Sequence, residues 1–245
     1  MIPFEIKNAV LLEIDVQNDF CPAYTSADGR QTPAGALAVN SGDLVIQPLN
    51  ALAAAVAAAG GRVAASQDWH PQGHISFAAS HAGKKAGDTI ALENVESQVL
   101  WPDHCVQGTW GAAFHESLDA KPIGMIIRKG FRAGLDSYSA FFENDRKTPT
   151  GLDGWLRGLG IKHIIAGGIA TDYCVFYSVM DALNLGFSVI VAGDAVRGVD
   201  YPAGSIDNAI NAMKKSGAVF MESREIMRDL IRAETTAKET NNAGR

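Results

Sequence analysis

A three-layer α/β sandwich around a mainly parallel sheet is the architecture to expect from this chain. Two features point to it. Short apolar runs alternate with longer amphipathic ones along the 245 residues, the pattern of strands joined by right-handed helical crossovers. Most of the short runs are continuously apolar rather than alternating, as in strands buried on both faces of a parallel sheet.

The strand candidates are AVLLEID at 9–15, RVAAS at 62–66, GMIIRK at 124–129, HIIAGG at 163–168, SVIVAG at 188–193 and AVFME at 218–222. Between them, helical patterns cover 43–59, 152–159, 173–185 and 203–216. The first contains the alanine-rich ALAAAVAAAGG, which a Gly-Gly pair stops. That segment is too short to span a bilayer. A last helix follows from Ser223, with Ser223 as its cap and Ile226 as the first inward residue. One region, 67–122, shows no clean period; its tryptophans, prolines and histidines suit a functional loop better than disorder.

Composition narrows the function. With 47% hydrophobic residues the chain can bury one substantial core, read as a single domain over 1–232 with a polar tail at 233–245. Its 27 acidic and 21 basic residues leave a net charge of −6, which argues against a nucleic-acid partner or an anionic membrane. Three widely spaced cysteines form no disulfide framework and suit a reducing cytoplasm. MIPFEIKN carries no long apolar run after a basic patch, so no signal peptide is expected.

Ligands of open parallel sheets collect beyond the carboxyl ends of the strands. The first strand ends at Asp15, the third at Lys129, and the fourth leads through IATDY to Cys174. Alone, Asp15 reads as a turn cap, Lys129 as a snorkelling surface lysine and Cys174 as a buried apolar residue. Together they read as proton acceptor and donor, charge stabiliser and nucleophile. A helix capped by Thr171 or Asp172 would set Cys174 near its positive end, which with Lys129 lowers a thiol pKa. Cys21 and Cys105 read as packing residues. The second strand is followed by Asp68 and His70 in SQDWHPQGH, and His104 follows in WPDHC. Two imidazoles and a carboxylate suit one divalent metal ion, zinc first, with iron and manganese as the other choices. His74 is either a fourth ligand or a brace for the loop.

The motifs DVQNDF, DWHPxxHxSF, WPDHCVQGT, a Lys-Gly pair followed by DSYSAFF, and GIATDYCV occur in this order. Their combination resembles the isochorismatase-like cysteine hydrolases, and within them the nicotinamidase/pyrazinamidase group. The resemblance covers nearly the whole chain, from Asn8 to Glu222. It implies a sheet of roughly six strands with helices on both sides. Cys174 then matches the nucleophile, Asp15 the general acid/base and Lys129 the third member of the triad. Asp68, His70 and His104 match metal ligands. Phe20 and Trp101 match aromatics that hold a pyridine ring, with Tyr138 and Tyr173 lining the same pocket. The Ile169–Ala170 peptide matches a cis bond, and the N–H groups of Ala170 and Cys174 an oxyanion hole. The implied activity is hydrolysis of nicotinamide, and of pyrazinamide, through a Cys174 thioester, with the metal orienting the pyridine nitrogen, in NAD recycling. Isochorismatases and carbamoyl-amide hydrolases share the Asp/Lys/Cys plan without this metal set.

Two alternatives stand beside that reading: an amidase of the same family acting on another small amide, and a non-catalytic metal-dependent binder or thiol redox sensor. The sequence leaves open whether the chain forms a homo-oligomer, and the segment 81–100 matches no motif.

Overall fold

The computed structural model describes residues 5–93 and 95–232; the polar tail expected over 233–245 lies outside the described residues. Six strands build one sheet: β1 (Ala9–Ile14), β2 (Arg62–Asp68), β3 (Ile123–Lys129), β4 (His163–Ile169), β5 (Ser188–Arg197) and β6 (Val219–Met221). Their order is β6-β5-β4-β1-β2-β3, and every neighbouring pair is parallel. All six predicted strands are present, with β5 running on to Arg197.

Helices α1 (Ile46–Ala58), α2 (Leu152–Gly158), α3 (Phe176–Asn184) and α4 (Ser205–Lys215) lie between the strands, and residues 223–232 are helical. Alternate side chains of a strand point to opposite faces, and the core divides accordingly. Leu11, Ile165 and Ile190 pack with Leu49 and Leu52 of α1 and with Ile226 and Leu230. Val10, Leu12, Ile164 and Val189 pack on the other face with Leu156 of α2, Val179 of α3 and Met213 of α4. Continuous apolar strands therefore serve two helical layers at once. Among the described residues no helix is long and apolar enough to cross a membrane.

From β1 the chain winds outward in one direction through β2 and β3, and in the other through β4, β5 and β6. The switch point between β1 and β4 opens a crevice at the carboxyl end of the sheet. Gly168 permits the close approach there: at φ +130° its added Cβ would stand 2.0 Å from the Ile14 carbonyl oxygen.

Two local expectations are corrected. Ser223 does not cap its helix; its N–H and Oγ donate to the Asp194 carboxylate of β5 at 2.7 and 2.6 Å, while the Glu222 N–H is met by Glu225 at 3.2 Å. A tertiary acceptor outcompetes the local turn. The region 67–122 is not wholly irregular either, since it carries an antiparallel hairpin of Thr89–Leu92 and Val95–Val99.

One residue of β1 breaks the apolar rule. Glu13 is fully buried and both carboxyl oxygens lack a hydrogen-bond partner. Burial, with a smaller push from Asp119, raises its pKa to about 8. The folded protein therefore holds a proton there that the unfolded chain releases above its ordinary 4.5. Stability contributed by this group is intact below pH 4.5, falls as pH rises towards 8, and then levels off. The loss is on the order of a few kcal/mol. Glu13→Gln, which cannot ionise, is expected to flatten the decline of the thermal midpoint between pH 5 and pH 8. Parallel wild-type and variant profiles across that interval would refute this.

Candidate active site

Asp15 follows the last residue of β1 at φ +50°, a left-handed conformation that Asp tolerates better than most residues. The kink turns its carboxylate into the crevice, where Ser66 Oγ of β2 donates to Oδ1 at 2.7 Å. Lys129 ends β3, fully buried rather than snorkelling. Its Nζ lies 2.9 Å from Asp15 Oδ2 and 2.5 Å from Asp68 Oδ1. It also donates to the Ser137 carbonyl at 2.9 Å and stands 3.5 Å from Cys174 Sγ. One ammonium thus joins Asp15, Asp68 and the thiol.

Cys174 sits in a wide turn, Thr171–Val175, that leads into α3. The N–H groups of Tyr173 and Val175 both return to the Ala170 carbonyl at 3.0 Å, and the preceding Ile169–Ala170 peptide is cis. No side chain caps this turn, contrary to the expected role of Thr171 or Asp172. Asp172 instead accepts from Val199 N–H, Asp200 N–H and Ser205 Oγ, pinning the loop that precedes α4.

The electrostatics follow from burial around one cation. Burial pushes the Asp15 carboxyl above its ordinary range, with Lys129 opposing. Burial acts the same way on Asp68, but Lys129 and His70 hold that carboxyl far below. Burial favours a neutral amine at Lys129, yet Asp15, Asp68 and Cys174 keep it firmly protonated. Burial also pushes the Cys174 thiol well above its ordinary value, and Lys129 only moderates this. The expectation of a depressed thiol pKa is therefore corrected: desolvation, with Asp15 and Asp68 beside it, outweighs the lysine.

Asp68, His70 and His104 offer ligand atoms within 4.8 Å of one another, all buried. His70 Nδ1 is tied to the Gly130 carbonyl at 2.9 Å and His104 Nδ1 to the Pro102 carbonyl at 2.8 Å. Each tie leaves Nε2 facing Asp68 Oδ2, at 3.6 and 3.8 Å. Such outer contacts fix tautomer and ring direction at metal sites. Burial and the neighbouring His70 lower His104 to about 4, the neutral form that ligation requires. These residues fit a divalent ion.

A second trio, His70, His74 and Asp136, is equally compact. His74, however, has Nδ1 on Ser76 Oγ at 2.8 Å and Nε2 on the Arg132 carbonyl at 3.0 Å. Both ring nitrogens are engaged in bracing the loop.

The surrounding motif residues build this frame. Gln17 grips the backbone of Asp68 from both sides, donating to its carbonyl and accepting from its N–H at 2.8 Å each. Asp19 accepts from Ala36 N–H at 3.0 Å and from Cys105 N–H at 2.7 Å, which fixes the loop carrying His104. Gly130, at φ +64°, leaves room for His70; an added Cβ would lie 2.5 Å from its ring. Cys21 and Cys105 are buried in the core.

Phe20, Trp101, Tyr138, Tyr173, Ala170 and Cys174 line one cavity with Asp68, His70 and His104. Trp101 meets Tyr173 edge-on at 5.0 Å, and its indole N–H donates to Tyr138 Oη at 3.1 Å. Of the predicted site residues, Asp15 and Lys129 join this cavity through Asp68 and Cys174, while Ile169 packs in the core beside Ala170. Asp136, which opens the DSYSAFF motif, was not singled out there, and neither were Ser66 and Gln98, which no local motif distinguishes from other polar residues.

A buried thiol, carboxylate and ammonium meet at the switch point of this parallel α/β sheet. Comparison with known proteins supplies the family. Residues 9–225 match the isochorismatase domain, and the chain belongs to the isochorismatase family. A nicotinamidase of Acinetobacter baylyi is 43% identical over 223 residues, covering 91% of this chain and 96% of the relative. The structure of an Acinetobacter baumanii nicotinamidase/pyrazinamidase superposes with a TM-score of 0.81 at 44% identity, covering 90% of this chain and 98% of that one. A Pyrococcus horikoshii pyrazinamidase solved in complex with zinc gives a TM-score of 0.68 at 32% identity, covering 88% and 99%. Within its family the chain is an amidohydrolase.

Proposed function

We propose that this protein is a nicotinamidase that hydrolyses nicotinamide to nicotinate and ammonia, accepts pyrazinamide, and serves NAD recycling. The observation that carries the reading is the buried Lys129 ammonium, which links Asp15 to Cys174 Sγ and to Asp68, and the last two line one aromatic-walled cavity. A nucleophile set and a metal-ligand set thereby share a wall. The A. baylyi and A. baumanii relatives, named for this activity, support it.

Asp15 takes the Cys174 proton. The transfer leaves the total charge of the site unchanged, so burial that disfavours an isolated thiolate does not block it, and Lys129 stands ready beside the sulfur. The thiolate attacks the carboxamide carbon, and the N–H groups of Ala170 and Cys174 hold the oxyanion; one such donor typically contributes about a hundredfold in rate. Collapse breaks the C–N bond, and Asp15 gives its proton to the departing nitrogen, which leaves as ammonia. Asp15 then takes a proton from water as the oxygen attacks the thioester. The second collapse expels the thiolate, which recovers the proton from Asp15.

Phe20 and Trp101 hold the ring, with Tyr138 and Tyr173 closing its rim. Asp68, His70 and His104 would hold the divalent ion, zinc first by analogy with the P. horikoshii complex. When bound, that ion supplies a Lewis-acidic partner for the pyridine nitrogen and so orients the ring.

The decisive assay is ammonia release from nicotinamide. Dialysis against a chelator is expected to remove the metal and at least about 90% of turnover, and added zinc, manganese or iron(II) to restore activity. Absence of turnover by folded, metal-loaded protein would overturn the reading. Nicotinamide turnover that survives complete metal removal would remove the metal from ring orientation.

A further inference from the structure

The hairpin of residues 89–99 lies outside the main sheet, yet it sends one side chain into the wall of the cavity. Gln98 is fully buried, and both ends of its amide are used. Nε2 donates to Asp136 Oδ2 at 2.9 Å and to the Val99 carbonyl at 2.9 Å, with Tyr138 Oη at 3.2 Å. Oε1 accepts from Asn144 Nδ2 at 3.0 Å. Asn144 closes the circuit: its Oδ1 accepts the Tyr138 N–H at 2.9 Å, and its own N–H reaches the Asp136 carbonyl at 2.7 Å.

Two of these partners face the cavity. Asp136 and Tyr138 both line it, and Asp136 Oδ1 lies 4.0 Å from His70 Nε2. Tyr138 Oη accepts from Trp101 at 3.1 Å and stands 3.2 Å from Gln98 Nε2. We infer that Gln98 is a positioning residue: it holds the Asp136 carboxylate and the Tyr138 hydroxyl in the geometry that receives the heteroaromatic ring of the substrate. The inference rests on the nicotinamidase reading.

The side chain required is narrowly defined. The site needs a donor towards Asp136 and an acceptor towards Asn144 on one planar group, at the reach of two methylenes. A glutamate would place a second carboxylate against Asp136. A methionine fills the volume and makes none of the bonds. An asparagine keeps the amide and falls one methylene short. None of the partners of Gln98 is Asp15, Lys129 or Cys174, so its loss is expected to act on ring binding more than on the bond-making steps.

The test uses the metal-loaded full chain. Gln98→Met is expected to raise KM for nicotinamide about tenfold, the scale of one or two lost hydrogen bonds, with kcat within about threefold of wild type. Metal content and the rate of Cys174 alkylation by iodoacetamide in the absence of substrate are expected to stay at wild-type levels. Tyr138→Phe is expected to raise KM as well, and the double variant by less than the product of the two, because both changes break the same circuit. Should Gln98→Met lose its native near-UV circular dichroism, Gln98→Asn asks the same question with a polar side chain. An unchanged KM in a folded variant overturns the inference. So does a parallel fall in kcat, metal content and alkylation rate, which marks general loosening. A wild type that does not turn over nicotinamide overturns the nicotinamidase reading and this inference with it, and is told apart by the wild-type assay alone.

Discussion

Cys174→Ala is expected to abolish ammonia release, by roughly four orders of magnitude or more, since the proposed acyl intermediate needs a thiol and no other cysteine lines the cavity. The other two cysteines are buried in the core, and burial pushes both of their thiols up. The substitution removes one sulfur from a site that Lys129, Asp15 and Asp68 continue to hold together, so metal content, thermal midpoint and nicotinate binding should change little. Acid quenching of wild type during turnover should trap a nicotinoyl adduct on the peptide containing Cys174, and none in the variant. Asp15→Asn should be nearly as damaging by a different route. Its amide cannot accept the thiol proton, and burial then keeps the sulfur protonated. Measured turnover by Cys174→Ala above the background of the uncatalysed reaction, or an adduct on another residue, would remove the thiol from the mechanism.

The sheet was legible because parallel strands covered on both faces leave continuous apolar runs, and each of the six runs became a strand. The polar residue at each strand end was legible for the same reason: in this topology the carboxyl ends meet at one edge, so Asp15, Lys129 and Cys174 could be brought together without coordinates. Residues that act through long-range hydrogen bonds were not. Gln98 lies 38 residues from Asp136 and 46 from Asn144, and neither its neighbours nor any period marks it as buried. Ser66 ends a run that reads simply as strand, and its partner is Asp15, 51 residues away. Glu13 hid within an apolar strand as an apparent exception. Two misreadings share a cause. Asp172 and Ser223 carry the chemistry of helix caps, but donors from the loop before α4 and an acceptor on β5 took those groups first. The raised thiol pKa of Cys174 likewise depends on the depth of burial, which a motif does not encode.

Lys129→Met should cost both activity and stability, and the two losses have separate origins. The ammonium is fully buried and contacts Asp15, Asp68 and the Ser137 carbonyl. A methionine of similar length fills the space but leaves two buried carboxylates facing each other without a counter-charge. Breaking a buried ion pair in this way typically costs about 3–5 kcal/mol, so the urea midpoint of chelated protein should fall well below that of chelated wild type. Activity should fall at least about a hundredfold, because the charge beside Cys174 Sγ that offsets the forming thiolate is gone. Added zinc provides the discriminating observation. A cation held by Asp68, His70 and His104 restores positive charge next to one of the two stranded carboxylates, so it should recover part of the lost stability. His70 and His104 face Asp68 Oδ2 whereas Lys129 faces Oδ1, so an ion held by that set would not replace the ammonium beside the thiol and should not recover turnover. Lys129→Arg keeps the charge but spreads it over a planar group too large for an enclosed ammonium site, and should rescue neither property fully. If chelated Lys129→Met unfolds at the wild-type urea concentration, the carboxylates do not depend on the lysine for their charge balance. The account of the site as two carboxylates and a thiol organised around one buried cation would then fail.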